Sequence, residues 1–166
     1  MRMLKLSGMF FILFILGLVY AAEKGVDFSG VWAFNESKSN LGDDNRRRGD
    51  SKLTVKQEDN LLTVDRVRQN RQGEEVTTNE KFTLDGKESK NMGPRDREII
   101  TIVNWTADKK GLIFKSTRSF ERQGETFEIK SEQTWSLSDD GKTLTIESTS
   151  TSPRGERKAT YVYDKK

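Results

Sequence analysis

From Val76 to Leu84 one side of the chain reads Val76, Thr78, Glu80, Phe82 and Leu84, and the other reads Thr77, Asn79, Lys81 and Thr83. Side chains alternate between two faces in this way only when the backbone is extended, so the segment predicts a β-strand. The same period recurs over Phe28 to Phe34, Ser51 to Gln57, Leu61 to Arg68, Glu98 to Trp105, Leu112 to Glu121, Thr126 to Leu137, Thr143 to Thr151 and Arg157 to Asp164. Between these runs stand turn formers: Glu58-Asp59-Asn60, Gln72-Gly73, Asp85-Gly86, Gln123-Gly124, Asp140-Gly141 and Pro153-Arg154-Gly155. Such spacers predict hairpins between sequential strands. Lys87 to Arg97 is polar throughout and reads as a long loop. Residues 35–50 hold no amphipathic period and read as a loop with room for one short helical turn. No stretch of the chain from residue 28 onward has the 3.6-residue period of a long helix. About nine strands result. The fold class predicted is all-β, an antiparallel up-and-down meander closed into a barrel of eight to ten strands.

The two faces differ in what they tolerate. Lys115, Thr117, Ser119, Glu121, Glu128, Lys130, Glu132 and Thr134 share one side and belong in water. The other side carries Leu112, Phe114, Ser116, Arg118 and Phe120, then Phe127, Ile129, Ser131, Gln133, Trp135 and Leu137. Its ends are apolar and its middle is polar. A barrel that faced lipid would need the reverse arrangement, so stable membrane insertion is not expected. Burying an unpaired arginine and glutamine in a dry core is costly. A wet cavity would accommodate Arg118 and Gln133, as would an open barrel mouth or a pairing with Glu80 across the sheet.

Composition removes several chemistries. The chain has no cysteine and no histidine. Disulfides, thiolate nucleophiles, His-based zinc sites and Ser-His-Asp triads are therefore absent. Glu58-Asp59, Glu74-Glu75 and Asp139-Asp140 are paired acids, but each falls in a predicted turn, where carboxylates are simply hydrated. No catalytic residue, metal ligand or cofactor site is assigned on this basis, and an enzyme is not the expected reading. There are 29 Lys and Arg against 26 Asp and Glu. Arg46-Arg47-Arg48 is flanked by Asp43, Asp44 and Asp50, and both signs are dispersed elsewhere, so a nucleic-acid groove is not expected.

The N-terminus reads as an export signal. Arg2 and Lys5 precede an apolar run from Met9 to Val19, and Val19-Tyr20-Ala21 supplies small residues for cleavage after Ala21, with Ala22 as the alternative. The expected organisation is a signal peptide over 1–21, a short linker over 22–27 and one domain over 28–166, periplasmic or extracellular after cleavage. An internal similarity links Arg71-Gln72-Gly73-Glu74 to Arg122-Gln123-Gly124-Glu125. It admits two readings, two related halves or hairpins that reuse one turn chemistry.

Gly30-Val31-Trp32 resembles the Gly-x-Trp motif on the first strand of the lipocalin and fatty-acid-binding-protein superfamily. There the tryptophan closes one end of the barrel, so the resemblance gives Trp32 a structural role. Thr160-Tyr161-Val162-Tyr163-Asp164-Lys165 is similar to the last strand of fatty-acid-binding proteins. Tyr163 matches the tyrosine of that family's carboxylate-clamping Arg-x-Tyr pair, and Tyr161 stands in the arginine's place. The chain thus looks like an exported lipocalin-like barrel. The expected partner is a small apolar or amphipathic ligand held by a monomer, with Phe114, Phe127, Ile129 and Trp135 as apolar walls and Arg118, Gln133 and Tyr163 as polar contacts. The alternative is a packed barrel, an envelope or interaction protein without a ligand cavity.

Overall fold

The computed structural model describes residues 25–42, 49–70, 72–93, 97–122, 124–153 and 155–166. The export signal, its cleavage site and Arg46-Arg47-Arg48 lie outside the described residues. Among the described residues the strands are β1 (Gly30–Phe34), β2 (Lys52–Glu58), β3 (Leu61–Gln69), β4 (Glu75–Thr83), β5 (Glu88–Gly93), β6 (Arg97–Trp105), β7 (Gly111–Arg122), β8 (Glu125–Leu137), β9 (Thr143–Ser152) and β10 (Gly155–Lys165). A single 3-10 turn, Glu36–Lys38, follows β1, with the Asn35 side chain accepting from the Lys38 amide at 3.1 Å. All pairings are antiparallel and run in the order β4-β3-β2-β1-β10-β9-β8-β7-β6-β5. The fold is therefore an all-β up-and-down meander in a nearly closed barrel. β1 meets β10, and the sheet's two free edges, β4 and β5, face each other.

That last seam corrects the sequence reading. Lys87 to Arg97 was expected to be a loop, and Glu88–Gly93 within it is a strand paired to β6. Its inward residues are Ser89 and Asn91, polar like their neighbours, so no hydrophobic period marks it. Their polarity has a use. No backbone ladder joins β4 to β5 among the described residues, and the side chains bridge them instead. Asn91 Oδ1 accepts from the Lys81 amide at 2.8 Å while its Nδ2 donates to the Lys81 carbonyl at 2.9 Å. Ser89 Oγ accepts from the Thr83 amide at 3.0 Å. An asparagine amide here substitutes for a peptide unit, satisfying edge groups that would otherwise be open.

One end of the barrel is sealed by aromatics. Phe28 and Trp32 are fully buried, and the Trp32 indole N–H donates to the Phe28 carbonyl at 3.0 Å. The Phe28 ring lies 6.4 Å from Trp105 and 6.2 Å from Trp135. Gln57 holds the segment from below, accepting from the Phe28 amide and donating to the Val26 carbonyl, each at 3.1 Å. The spacing of the Gly-x-Trp motif has a steric reason. Gly30 has φ +151°, and a Cβ there would stand 2.9 Å from the Lys165 side chain, whose ammonium sits 5.2 Å over the Trp32 ring. Above this floor Leu53, Val55, Leu62, Val64, Phe82, Val103, Leu112, Leu144 and Ile146 fill the lower interior. By the antiparallel registers, the ends of β3, β5, β7 and β9 that lead into the strands after them lie toward the opposite end.

The repeated Arg-Gln-Gly-Glu tetrapeptides sit in non-equivalent hairpins. Gln69 pairs with Glu75, leaving residues 70–74 as the loop, whereas Arg122 pairs with Glu125, leaving 123–124. Similar sequence thus closes connections of different length, which favours reuse of turn chemistry over duplicated halves.

Candidate ligand-binding cavity

The register stacks the inward residues of β6 to β9 into rows. Thr101, Ser116, Ser131 and Ser150 are mutual neighbours across four strands, and one level nearer the sealed end come Val103, Phe114, Gln133 and Ser148. Nearer still is the fully buried Trp135, opposite Leu112 and Ile146. Large side chains below and hydroxyls above leave the upper interior unfilled. A cavity of about 300 Å³ results, at the lower end of the range for small-molecule sites.

Its most constrained feature is a charge cluster from three elements. Arg66 on β3 donates from Nε to Glu80 Oε2 on β4 at 2.6 Å and from Nη1 to Asp50 Oδ2, just before β2, at 3.2 Å. The guanidinium lies 5.5 Å above the Trp135 ring. Although burial opposes its charge, the two carboxylates prevail and its pKa is raised, so Arg66 is a fixed cation. Beneath the cluster, burial foremost and the nearby Asp50 carboxylate push the Tyr163 phenol well above its ordinary value. The Trp135 indole N–H donates to Gln133 Oε1 at 3.3 Å, and Thr101 and Ser116 share a hydroxyl bond of 2.8 Å.

Of the residues singled out from the sequence, Phe114, Arg118, Ile129 and Gln133 line the cavity together. Trp135 and Tyr163 are buried below it and hold the charge cluster rather than the open space; Tyr163 packs edge-on to Phe34 at 5.5 Å. Phe127 stacks on Phe120 at 5.6 Å near the β7–β8 tip and does not line the cavity. Tyr161, one inward position nearer the open end than Tyr163, lines it instead. Sequence reasoning also passed over Arg66, Arg68, Asp50, Asn91, Thr101 and the serines. The signal that could have found Arg66 is its place in the inward series Leu62, Val64, Arg66, which demands a partner, and Glu80 supplies one.

Three arginines and two acids line the cavity, so its walls carry one excess positive charge. Arg66 is consumed by its pairs and Arg68 is exposed at the rim. Arg118 is half-buried, and its guanidinium makes no ion pair or hydrogen bond to any described residue. Among the described residues no cluster of three or more His, Cys, Asp or Glu could hold a metal ion. The arrangement offers hydrogen-bonding groups and two cations without an ion pair among the described residues, the exposed Arg68 and the half-buried Arg118.

No protein-family model matches the chain, and no curated protein matches it either. Among solved structures it is similar to zebrafish ileal bile acid-binding protein, crystallised with cholic acid. The TM-score is 0.51 at 21% identity, covering 84% of this chain and 98% of that one. At that identity the likeness is one of fold. The chain shares that protein's fold, an antiparallel up-and-down β-barrel.

Proposed function

We propose that this protein binds a small amphipathic acid in the upper half of its barrel, with the anionic group at Arg118. The observation that carries the reading is a half-buried arginine without a partner among the described residues, set in the wall of a cavity of about 300 Å³. A buried charge left unpaired is unfavourable, and an anionic ligand removes that penalty. Phe82, Phe114 and Ile129 provide apolar wall for the body of the ligand. The structural neighbour's bile-acid complex supports the same use of the fold. In this reading the protein acts as a monomer outside the cytoplasm, delivered there by the signal over residues 1–21, and N-terminal sequencing of exported material should begin at Ala22 or Glu23.

The test compares dodecanoate with its methyl ester, followed by tryptophan fluorescence, since Trp135 lies beneath the cavity. Arg118→Ala should weaken the acid by about tenfold or more, the usual effect of losing a hydrogen bond to a charged group, and leave the ester nearly unchanged. Equal weakening of both, or no binding of any acid at millimolar concentration, would overturn the proposal and favour a barrel that works through its outer surface.

A further inference from the structure

Resting on that reading, we infer that the site selects a polyhydroxylated acid over a plain alkyl one. The wall of the cavity contributed by β6 to β9 is a row of hydroxyls. Thr101, Ser116, Ser131 and Ser150 are directly opposed in sequence across those strands. Adjacent strands lie roughly 5 Å apart, so the row presents one hydroxyl at about that interval around the barrel. Gln133 and Ser148 extend it one level down, as neighbours of each other.

Only part of the row is spoken for. Thr101 and Ser116 bond each other at 2.8 Å, and Gln133 Oε1 receives the Trp135 indole. The side-chain hydroxyls of Ser131, Ser148 and Ser150 make no hydrogen bond to any described residue. Yet no fully buried side-chain oxygen or nitrogen among the described residues lacks a partner. The three serine hydroxyls therefore open onto accessible space, and all three line the cavity. In the free protein they are satisfied by water. An alkyl chain laid along this wall would displace that water and return no hydrogen bonds, an unfavourable exchange. A ligand with hydroxyls along one edge would return them.

The surroundings fix the rest of the ligand's character. Above the row Arg118 is paired in register with Ile129, a cation beside an apolar side chain. Below it lie Phe114 and Phe82, whose rings meet edge-on at 5.3 Å. The complementary molecule has an apolar body, a hydroxylated edge and one anionic group near the mouth.

A series that changes only hydroxyl number tests this: cholate with three, deoxycholate with two and lithocholate with one, alongside dodecanoate, titrated by calorimetry into the full mature chain. Each hydroxyl makes a ligand more water-loving, so an apolar cavity would bind the series in falling order from lithocholate to cholate. We expect the opposite order here. Ser131→Ala and Ser150→Ala should each weaken cholate by roughly three- to tenfold, one hydrogen bond's worth, with little effect on lithocholate and none on dodecanoate. Melting temperatures of both variants within a degree or two of the parent show that the barrel is intact. Lithocholate or dodecanoate binding as tightly as cholate would overturn the inference while leaving acid binding at Arg118 in place. Failure of every acid to bind would remove the underlying reading as well.

Discussion

Replacing Arg66 by methionine isolates the charge cluster on which the upper barrel rests. Arg66 and Glu80 are each 17% exposed and Asp50 is 22% exposed, so all three are mostly withdrawn from water. Methionine keeps much of the volume and the contact with Trp135, so packing loss is small. What disappears is two charge-assisted hydrogen bonds, of 2.6 Å and 3.2 Å, and a cation over the indole. Breaking a dry buried pair costs about 3–5 kcal/mol because the remaining charge is left uncompensated. Here the carboxylates border a cavity that admits water, which lowers the figure to about 2–4 kcal/mol. Against a domain stability of about 5–15 kcal/mol, that is a large share. Urea unfolding followed by tryptophan fluorescence should show the midpoint falling by about 1–2 M at an unchanged slope near 2 kcal/mol/M. Glu80→Gln alone should cost less, because the neutral amide still accepts from Nε, and the double variant should reveal a coupling above about 1 kcal/mol. A midpoint shift below about 0.3 M for Arg66→Met, or additive single effects, would refute the view that these charges depend on one another.

Trp32→Ala should lose about 3–5 kcal/mol by calorimetric melting, and Trp32→Phe about 1–3 kcal/mol, since the Phe28 carbonyl is then left unpaired; an unchanged melting temperature in the alanine variant would contradict the sealed-end role. Asn91→Leu should open the β4–β5 seam, removing two bonds to the Lys81 backbone for about 1–2 kcal/mol and speeding hydrogen exchange of the Lys81 amide, and unaltered protection of that amide would show the bridge to be dispensable. Asp85, hydrogen-bonded by the Lys87 ammonium at 2.8 Å, has its carboxyl pKa lowered to about 2. Its contribution to stability is therefore complete above about pH 4 and fades as pH falls through about 2, and an NMR titration midpoint near the ordinary 3.8 would exclude the bond in solution.

Alternation along the chain was enough to predict the β-class, the hairpins and the wet and sheltered faces of β7, β8 and β9. It also placed apolar residues at both ends of the inner face and polar ones between, as found for Phe114, Ser116, Arg118 and Phe120. The reason is physical: a period of two fixes which face a side chain joins regardless of what lies opposite. The same period says nothing about height in the barrel. Height follows from strand register and tilt, which is why Tyr161 and Tyr163 share a face while only the first lines the cavity. Strand β5 escaped notice because its inward residues, Ser89 and Asn91, serve the backbone of β4, a task for polar groups that leaves no hydrophobic trace. The cluster of Arg66, Glu80 and Asp50 comes from two strands and a loop, and the registers of the β2–β3 and β3–β4 hairpins set them within bonding distance. The sequence thus determined the architecture and the character of each wall. The tertiary structure decided which polar groups pair with one another, and so which side chains, those of Arg118, Ser131, Ser148 and Ser150, are left without a hydrogen-bond partner among the described residues.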